Sequence, residues 1–209
     1  MSEKRVVMVV DMQNGVFETP RHQREKCVSL INQLTQAADK VIFIQHTEAG
    51  GLEEGSEGFA LLPELHQPAG ALYVTKTACD AFYDTGLEAL LREQGIREFV
   101  ICGCATDYCV DATIKNGVSR GYHITVAEDA HTTANRPAAD AQILINHHND
   151  VWRNFIAPAN PLAVKRTETI LENWKANLYL TLGSDLFAGA GRLARAGFRV
   201  VTCCTQQQP

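Results

Sequence analysis

The stretch Phe99–Cys109, FVICGCATDYC, decides the fold class, because it runs from an apolar strand through a glycine turn into a helix. Its first four residues are apolar without alternation, which is typical of a strand covered on both faces. The following helix is predicted to extend to about Ser119, and Thr106 or Asp107 can cap it. Cys109 is then predicted in or near the first helical turn, where the helix dipole and the free N–H groups favour a thiolate.

Working outward, the rest of the chain repeats this alternation of strand and helix. The other apolar runs that indicate strands are Arg5–Val10, Val41–Ile44, Ala71–Val74 and Ile124–Val126. Segments with apolar residues at helical spacing separate them, which predicts βαβ units and a parallel sheet. The expected fold is a three-layer α/β/α domain with a central, mainly parallel sheet. We assign residues 1–170 to this domain and residues 171–209 to a C-terminal extension of unknown role.

The composition excludes several functional classes. The chain has 209 residues, 45% of them apolar, and a formal net charge of −5, without a Lys/Arg cluster that would favour nucleic acid or an anionic membrane. The apolar runs are too short to span a bilayer, and the N-terminal sequence MSEKRVV lacks the apolar region of a secretion signal. Seven cysteines at irregular spacing predict reduced thiols in a cytosolic protein rather than disulfides or a structural zinc site.

Reactive residues follow several of the predicted strands. Asp11 follows the first strand, Lys76 follows another by one residue, Cys109 lies beyond the Phe99 strand, and Glu128 and Asp129 follow the last. Ligands bind beyond the carboxyl ends of parallel strands, so an acid, an ammonium and a thiol should meet at one edge. Lys76 would lower the thiol pKa, and Asp11 could accept the thiol proton. Taken singly, each residue also fits an ordinary role as a turn aspartate, a surface lysine or a buried cysteine.

Four ordered segments resemble the isochorismatase-like hydrolases. The matching residues are Val9–Asn14 with Phe17; Lys76, Phe82, Thr85 and Leu87; Gly103–Val110 with Thr113; and Ala127–Ala130. Their order and spacing agree with that superfamily over roughly residues 5–170, and several motifs in order are more specific than any one of them. The resemblance implies the same three-layer α/β/α fold.

The resemblance also implies a mechanism. It assigns Asp11, Lys76 and Cys109 to a catalytic triad that needs no cofactor, acting on a small-molecule substrate. It implies a cis peptide bond before Ala105, with the backbone N–H groups of Ala105 and Cys109 as oxyanion donors. Members of the superfamily are commonly dimers or tetramers, so a homo-oligomer is expected.

This chain differs from two groups of the superfamily, and the differences narrow the type of bond that it is expected to cleave. Nicotinamidases carry a D-x-H…H metal site after the second strand, where this chain has Gln45–Glu48, QHTE, so no metal is expected. Isochorismatases proper cleave a vinyl ether without needing the cysteine, whereas Cys109 implies acyl-enzyme chemistry on an amide, ureide or related C–N bond. The alternatives are a vinyl-ether hydrolase that uses Asp11 but not Cys109, and a non-catalytic oligomeric binding protein on the same scaffold.

Five side chains are candidates for substrate contact: Gln13, Phe17, His46, Phe82 and Tyr108. Core packing explains Phe82 equally well, and His46 could be a polar residue at a strand end. The glycine-rich stretch Gly50–Gly58 is predicted to be a loop, either a mobile lid or a solvated connection.

Overall fold

The computed structural model describes residues 4–157 and 162–178. The chain divides into two units after Leu171, and nearly all described residues belong to the first. In the predicted C-terminal extension only residues 171–178 are described, and they are helical. The remainder of the extension lies outside the described residues, so the assignment of residues 171–209 stays a prediction.

A six-stranded parallel sheet forms the centre of the first unit. Its strands are β1 Val6–Val10, β2 Lys40–His46, β3 Leu72–Lys76, β4 Glu98–Cys104, β5 His123–Thr132 and β6 Ala163–Lys165. Their order is β3-β2-β1-β4-β5-β6, and all five neighbouring pairs are parallel. Chain order therefore reverses between β1 and β4, which makes their carboxyl ends the switch point where ligands bind in such sheets.

Helices cover both faces of the sheet. They are α1 Arg24–Ala37, α2 Leu87–Glu93, α3 Asp111–Ser119 and α4 Ala141–Arg153, with one 3-10 turn at Gly15–Phe17 and one π-helical turn at Thr106–Val110. One buried cluster joins the side chains of α2 and α3 to alternate residues of β1, whereas α1 contacts the sheet from the opposite face. These layers confirm the predicted α/β/α architecture.

The carboxyl half of β5 differs from the sequence prediction. The strand does not end at Val126 but continues to Thr132, so Glu128 and Asp129 lie inside it and not beyond its end. Its polar residues fit there because they have partners: the Asp129 carboxylate accepts hydrogen bonds from the backbone N–H and hydroxyl of Thr167, at 2.9 and 2.7 Å. The pairing of β5 with β4 shifts register between Ile101 and Gly103, which is typical of a β-bulge.

Candidate active site

Three side chains converge at the switch point, as the sequence predicts. Asp11 directly follows β1, Lys76 is the last residue of β3, and Cys109 lies in the π-helical turn that follows β4. The Lys76 Nζ atom is 2.9 Å from Asp11 Oδ2 and 3.3 Å from Cys109 Sγ. One ammonium group therefore contacts both a carboxylate and a sulfur.

Asp11 and Lys76 are almost completely buried. They are 3% and 1% exposed, and Asp11 has a left-handed backbone with φ of 48°, a conformation that aspartate tolerates better than most residues. Its backbone N–H donates to the carbonyl of Ile44 at 2.9 Å, which fixes the turn after β1. Among the described residues, Asp11 Oδ1 is the only buried side-chain nitrogen or oxygen without a hydrogen-bond partner. The carboxylate therefore keeps one acceptor atom available.

The Lys76 ammonium has more acceptors around it than protons to donate. Besides Asp11 and Cys109, it lies 3.0 Å from the carbonyl oxygen of Ala78 and 3.2 Å from His46 Nδ1. An ammonium carries three protons, so these four acceptors share them. The other ring nitrogen of His46, Nε2, lies 3.5 Å from a carboxylate oxygen of Glu48.

The electrostatics of the site favour an ammonium beside an un-ionised thiol. Burial works to lower the pKa of Lys76, but the neighbouring Asp11 carboxylate opposes it, and the pKa of Lys76 lies above its usual value. Burial raises the pKa of Asp11, with Lys76 opposing. Burial, and then the Asp11 carboxylate, raise the pKa of Cys109 against the lowering effect of Lys76. Lys76 therefore lowers the thiol pKa, as the sequence predicts, but partial burial and the Asp11 carboxylate outweigh it in the free site.

The backbone between β4 and Cys109 takes an unusual path. Gly103 has φ of 116°, and a Cβ atom there would lie 2.2 Å from the carbonyl oxygen of Val10, so only glycine fits. The peptide bond between Cys104 and Ala105 is cis, as the family resemblance implies. The carbonyl oxygen of Ala105 then accepts from the backbone N–H groups of Tyr108 and Val110, both at 3.1 Å. These bonds form the turn that carries Cys109.

The side chains of Thr106 and Asp107 form hydrogen bonds with residues outside this turn and do not cap a helix. The turn begins after Ala105 without a side-chain cap, which contradicts the predicted capping role of both residues. The Thr106 hydroxyl instead lies 2.7 Å from His131 Nδ1. Asp107 accepts hydrogen bonds from the Thr133 hydroxyl at 2.5 Å and from Arg136 Nε at 2.8 Å.

His131, Thr133 and Arg136 were missed as residues of this region. They lie beyond the apolar run taken as the last strand, where the sequence reads His131-Thr132-Thr133 and continues to Arg136. A run of polar residues after the predicted strand end could have indicated them, because functional residues of a parallel sheet lie beyond the carboxyl ends of its strands.

The predicted substrate contacts divide into two groups. Gln13 is fully buried, and its amide group binds the backbone N–H and carbonyl of His46 and the carbonyl of Phe59, so it is a structural anchor. Phe82 is 5% exposed and stacks on Tyr122 in the core. Substrate contact by Gln13 and Phe82 stays a prediction, and the structure shows that each side chain also has a structural role. Both side chains are buried against partners that are distant in the chain.

The other three candidates are placed differently. His46 contacts Lys76 and is therefore part of the site. Tyr108 precedes the candidate nucleophile and is 52% exposed, with the Arg136 guanidinium 4.7 Å from its ring centre. Phe17 is partly buried in the 3-10 turn that follows Asp11. Substrate contact by these three residues stays a prediction.

The glycine-rich loop is fastened to the turn after β1. Gly15 N donates to the carbonyl of Gly58 at 2.9 Å, and the Asn14 amide donates to the carbonyl of Glu57 at 3.0 Å. Inside the loop, the Glu53 carboxylate accepts from the backbone N–H groups of Gly50 and Gly51. These hydrogen bonds attach the loop to Asn14 and Gly15, close to Asp11 in the chain, and its role as a lid or a solvated connection stays a prediction.

Comparison with known proteins agrees with this geometry. The family model for the isochorismatase domain matches residues 5–148. The isochorismatase family protein YddQ of Bacillus subtilis is 26% identical over 179 residues, which are 79% of this chain and 98% of that protein. The ureidoacrylate amidohydrolase RutB of Yersinia enterocolitica is 34% identical over 120 residues, 54% of this chain and 52% of that protein. This chain thus aligns with about half of the amidohydrolase.

A solved structure gives the same result. The N-carbamoylsarcosine amidase of Thermoplasma acidophilum superposes with a TM-score of 0.63 at 25% identity, covering 78% of this chain and 96% of the amidase. Among the described residues, none of the helices has the length and apolar character needed to cross a membrane.

The domain match, the sheet and the relatives agree, and the chain belongs to the isochorismatase family, whose members are hydrolases and include amidohydrolases.

Proposed function

We propose that this protein hydrolyses an amide, ureide or related C–N bond of a small molecule through a thioester on Cys109. The observation that carries the proposal is the Lys76 ammonium, which contacts both the Asp11 carboxylate and the Cys109 sulfur at the switch point. The names of two relatives, an amidohydrolase and an amidase, support this bond class.

The first step forms the sulfur–carbon bond. Cys109 begins as a thiol, because burial and Asp11 raise its pKa. As the sulfur attacks the substrate carbonyl carbon, the thiol proton passes to Asp11, whose own raised pKa makes it a stronger base. Lys76 touches both partners and stabilises the negative charge before and after the transfer.

The second step breaks the C–N bond. The oxyanion accepts hydrogen bonds from the backbone N–H groups of Ala105 and Cys109, and the Asp11 carboxylic acid donates its proton to the departing nitrogen. The products are a free amine and an acyl or carbamoyl thioester. Water then attacks the thioester carbon and gives a proton to Asp11, which returns it to the leaving sulfur, so that acid and free enzyme result.

We also propose that the reaction proceeds without a metal ion. His46 occupies the strand end where nicotinamidases hold their metal, but here its Nδ1 faces the Lys76 ammonium at 3.2 Å and its Nε2 faces Glu48. A divalent cation bound to Nδ1 would be repelled by the ammonium group. Full activity after prolonged dialysis against a chelator is expected, and loss of activity restored by one metal would contradict this part of the proposal.

The decisive experiment screens small amides, ureides and carbamoyl compounds and traps the thioester by mass spectrometry. Cys109→Ala and Asp11→Asn should each lower kcat by at least about a thousandfold with the fold intact. Cys79→Ala is the matched control, because Cys79 is an exposed thiol outside the triad, and it should keep full activity. Full turnover after alkylation of Cys109 would favour the vinyl-ether hydrolase, and no turnover across the panel would favour the binding protein.

The assembly and location of the protein stay predictions from the sequence. A homodimer or homotetramer is expected, and light scattering after size-exclusion chromatography measures it. A cytosolic location is expected from the reduced thiols, and the five described cysteines, Cys27, Cys79, Cys102, Cys104 and Cys109, are all free.

A further inference from the structure

We propose that His131 is a positioning residue that holds the Cys109 turn in its reactive conformation by accepting a hydrogen bond from Thr106. The inference rests on the proposed function, because the rate it concerns is that of attack by Cys109. His131 lies in the polar end of β5 and is 3% exposed, and its two ring nitrogens are paired with Thr106 and Asn149. Its effect is transmitted through the turn.

The hydrogen-bond chain fixes which ring nitrogen accepts. The carbonyl oxygen of Glu128 can only accept, and the Asn149 amide nitrogen donates to it at 3.0 Å. Asn149 Oδ1 therefore faces His131 Nε2, at 3.0 Å, and Nε2 must carry the proton. That leaves Nδ1 unprotonated, so the Thr106 hydroxyl, 2.7 Å away, donates to it. Every member of this chain has one assigned direction.

These hydrogen bonds require a neutral His131 imidazole, and the surroundings of the ring also favour the neutral form. Burial lowers the pKa of His131 to about 4, so Nδ1 stays an acceptor at neutral pH. The indole ring of Trp152 packs edge-on against the imidazole, with 5.1 Å between ring centroids. The imidazole therefore has little room to rotate.

The hydrogen bond from Thr106 to His131 restrains the turn that contains Cys109. It is the first residue of the π-helical turn and follows Ala105, whose carbonyl closes the turn and whose N–H is a proposed oxyanion donor. Just beyond the other end of the turn, the Trp152 indole N–H donates to Asp111 Oδ1 at 2.8 Å. Asn149 and Trp152 lie three residues apart on α4, so one helix holds the turn at both ends.

Two substitutions of His131 separate positioning from a general effect on folding. In His131→Asn the side-chain oxygen takes roughly the place of Nδ1 and can still accept from Thr106. In His131→Gln the amide takes roughly the place of Nε2, so the bond to Asn149 can persist while Thr106 loses its acceptor. We expect kcat to fall about 10- to 100-fold in His131→Gln with KM nearly unchanged, and His131→Asn to restore most of kcat.

The controls are chosen so that each result is decisive. His123→Gln makes the same change at an exposed position of the same strand and should leave kcat and KM unchanged. Thr106→Val removes the hydroxyl at nearly constant shape and should reproduce the loss of kcat even if the His131 variants do not fold. Combining Thr106→Val with His131→Gln should add little further loss, because both remove the same bond.

The kinetic constants are measured per active site, counted by thioester trapping, so that an unfolded fraction does not mimic a slower enzyme. Equal kcat values for His131→Gln and His131→Asn, or a Thr106→Val variant with the parent kcat, would overturn the positioning role. If Cys109→Ala is as active as the parent, the proposed function has failed instead, and the two failures are therefore distinguishable.

Discussion

Replacing Lys76 with methionine is the sharpest test of the buried charge pair. Methionine keeps an unbranched side chain of similar length but removes the only cation within 2.9 Å of the Asp11 carboxylate in the described structure. The Asp11 side chain is 4% exposed, so contact with solvent compensates little for the lost ammonium. Breaking a buried ion pair by removing one partner costs about 3–5 kcal/mol, and we expect Lys76→Met to lose that much unfolding free energy at neutral pH.

The loss should depend on pH in a defined direction. Without Lys76, burial raises the pKa of Asp11 further above its unfolded value of about 3.9. Between these two pKa values the folded state holds a proton that the unfolded state has released, so stability falls as pH rises. The deficit of Lys76→Met is therefore small near the unfolded pKa, grows as pH rises, and becomes constant once Asp11 ionises in the folded state.

Urea unfolding followed by circular dichroism, at about pH 5 and about pH 8, measures this dependence. The matched control is the double variant Lys76→Met/Asp11→Asn, in which a neutral amide replaces the stranded carboxylate. It should regain most of the lost stability at the higher pH and show little pH dependence from this site. An equal deficit at both pH values, left unrepaired by Asp11→Asn, would refute the charge-burial argument and indicate a packing defect.

Three further predictions follow from the same physical arguments. Asp11→Asn removes a carboxylate that raises the pKa of Cys109, so iodoacetamide should alkylate Cys109 faster than in the parent at mildly alkaline pH, although turnover is lost; slower alkylation would contradict this sign. Burial lowers the pKa of His131 to about 4, so between about pH 6.5 and pH 4 stability should fall with falling pH by about 3 kcal/mol, and His131→Asn should remove that slope in urea unfolding. Gly103→Ala, at φ of 116° with a Cβ 2.2 Å from the β1 main chain, should cost at least about 3 kcal/mol, whereas Gly70→Ala, at φ of 81° in open space, should cost only about 1–2 kcal/mol.

The sequence predicts the parts of the fold that depend on continuous apolar runs. The interior of a parallel sheet is apolar on both faces, and β1 and β4 show this without interruption between Val6 and Val10 and between Phe99 and Cys102. Once those strands are assigned, the convergence of Asp11 and Cys109 follows, because the carboxyl ends of parallel strands share one edge. Lys76 joins them by the same rule at the end of β3.

The features that the sequence does not predict depend on partners distant in the chain. The polar half of β5 is not an apolar run, and it remains strand because Asp129 is hydrogen-bonded by Thr167 and His131 by Thr106 and Asn149. Local spacing cannot reveal such partners. The same limit explains the capping error at Thr106, since its hydroxyl can serve a helix terminus or a distant imidazole, and only the tertiary structure decides between them.

The raised thiol pKa bears on how the proposed triad of Asp11, Lys76 and Cys109 would form a thiolate. With Asp11 ionised, Lys76 charged and Cys109 protonated, the buried site carries no net charge. Removing the thiol proton to solvent would leave an uncompensated buried anion, which burial opposes. Moving the same proton to Asp11 keeps the net charge at zero. The negative charge then lies on the sulfur instead of the carboxylate, and Lys76 Nζ contacts both, at 3.3 and 2.9 Å. Thiolate formation is therefore coupled to proton transfer within the triad, and its titration belongs to the group as a whole. In the proposed mechanism, this coupling allows Asp11 to act as the base although its carboxylate raises the thiol pKa.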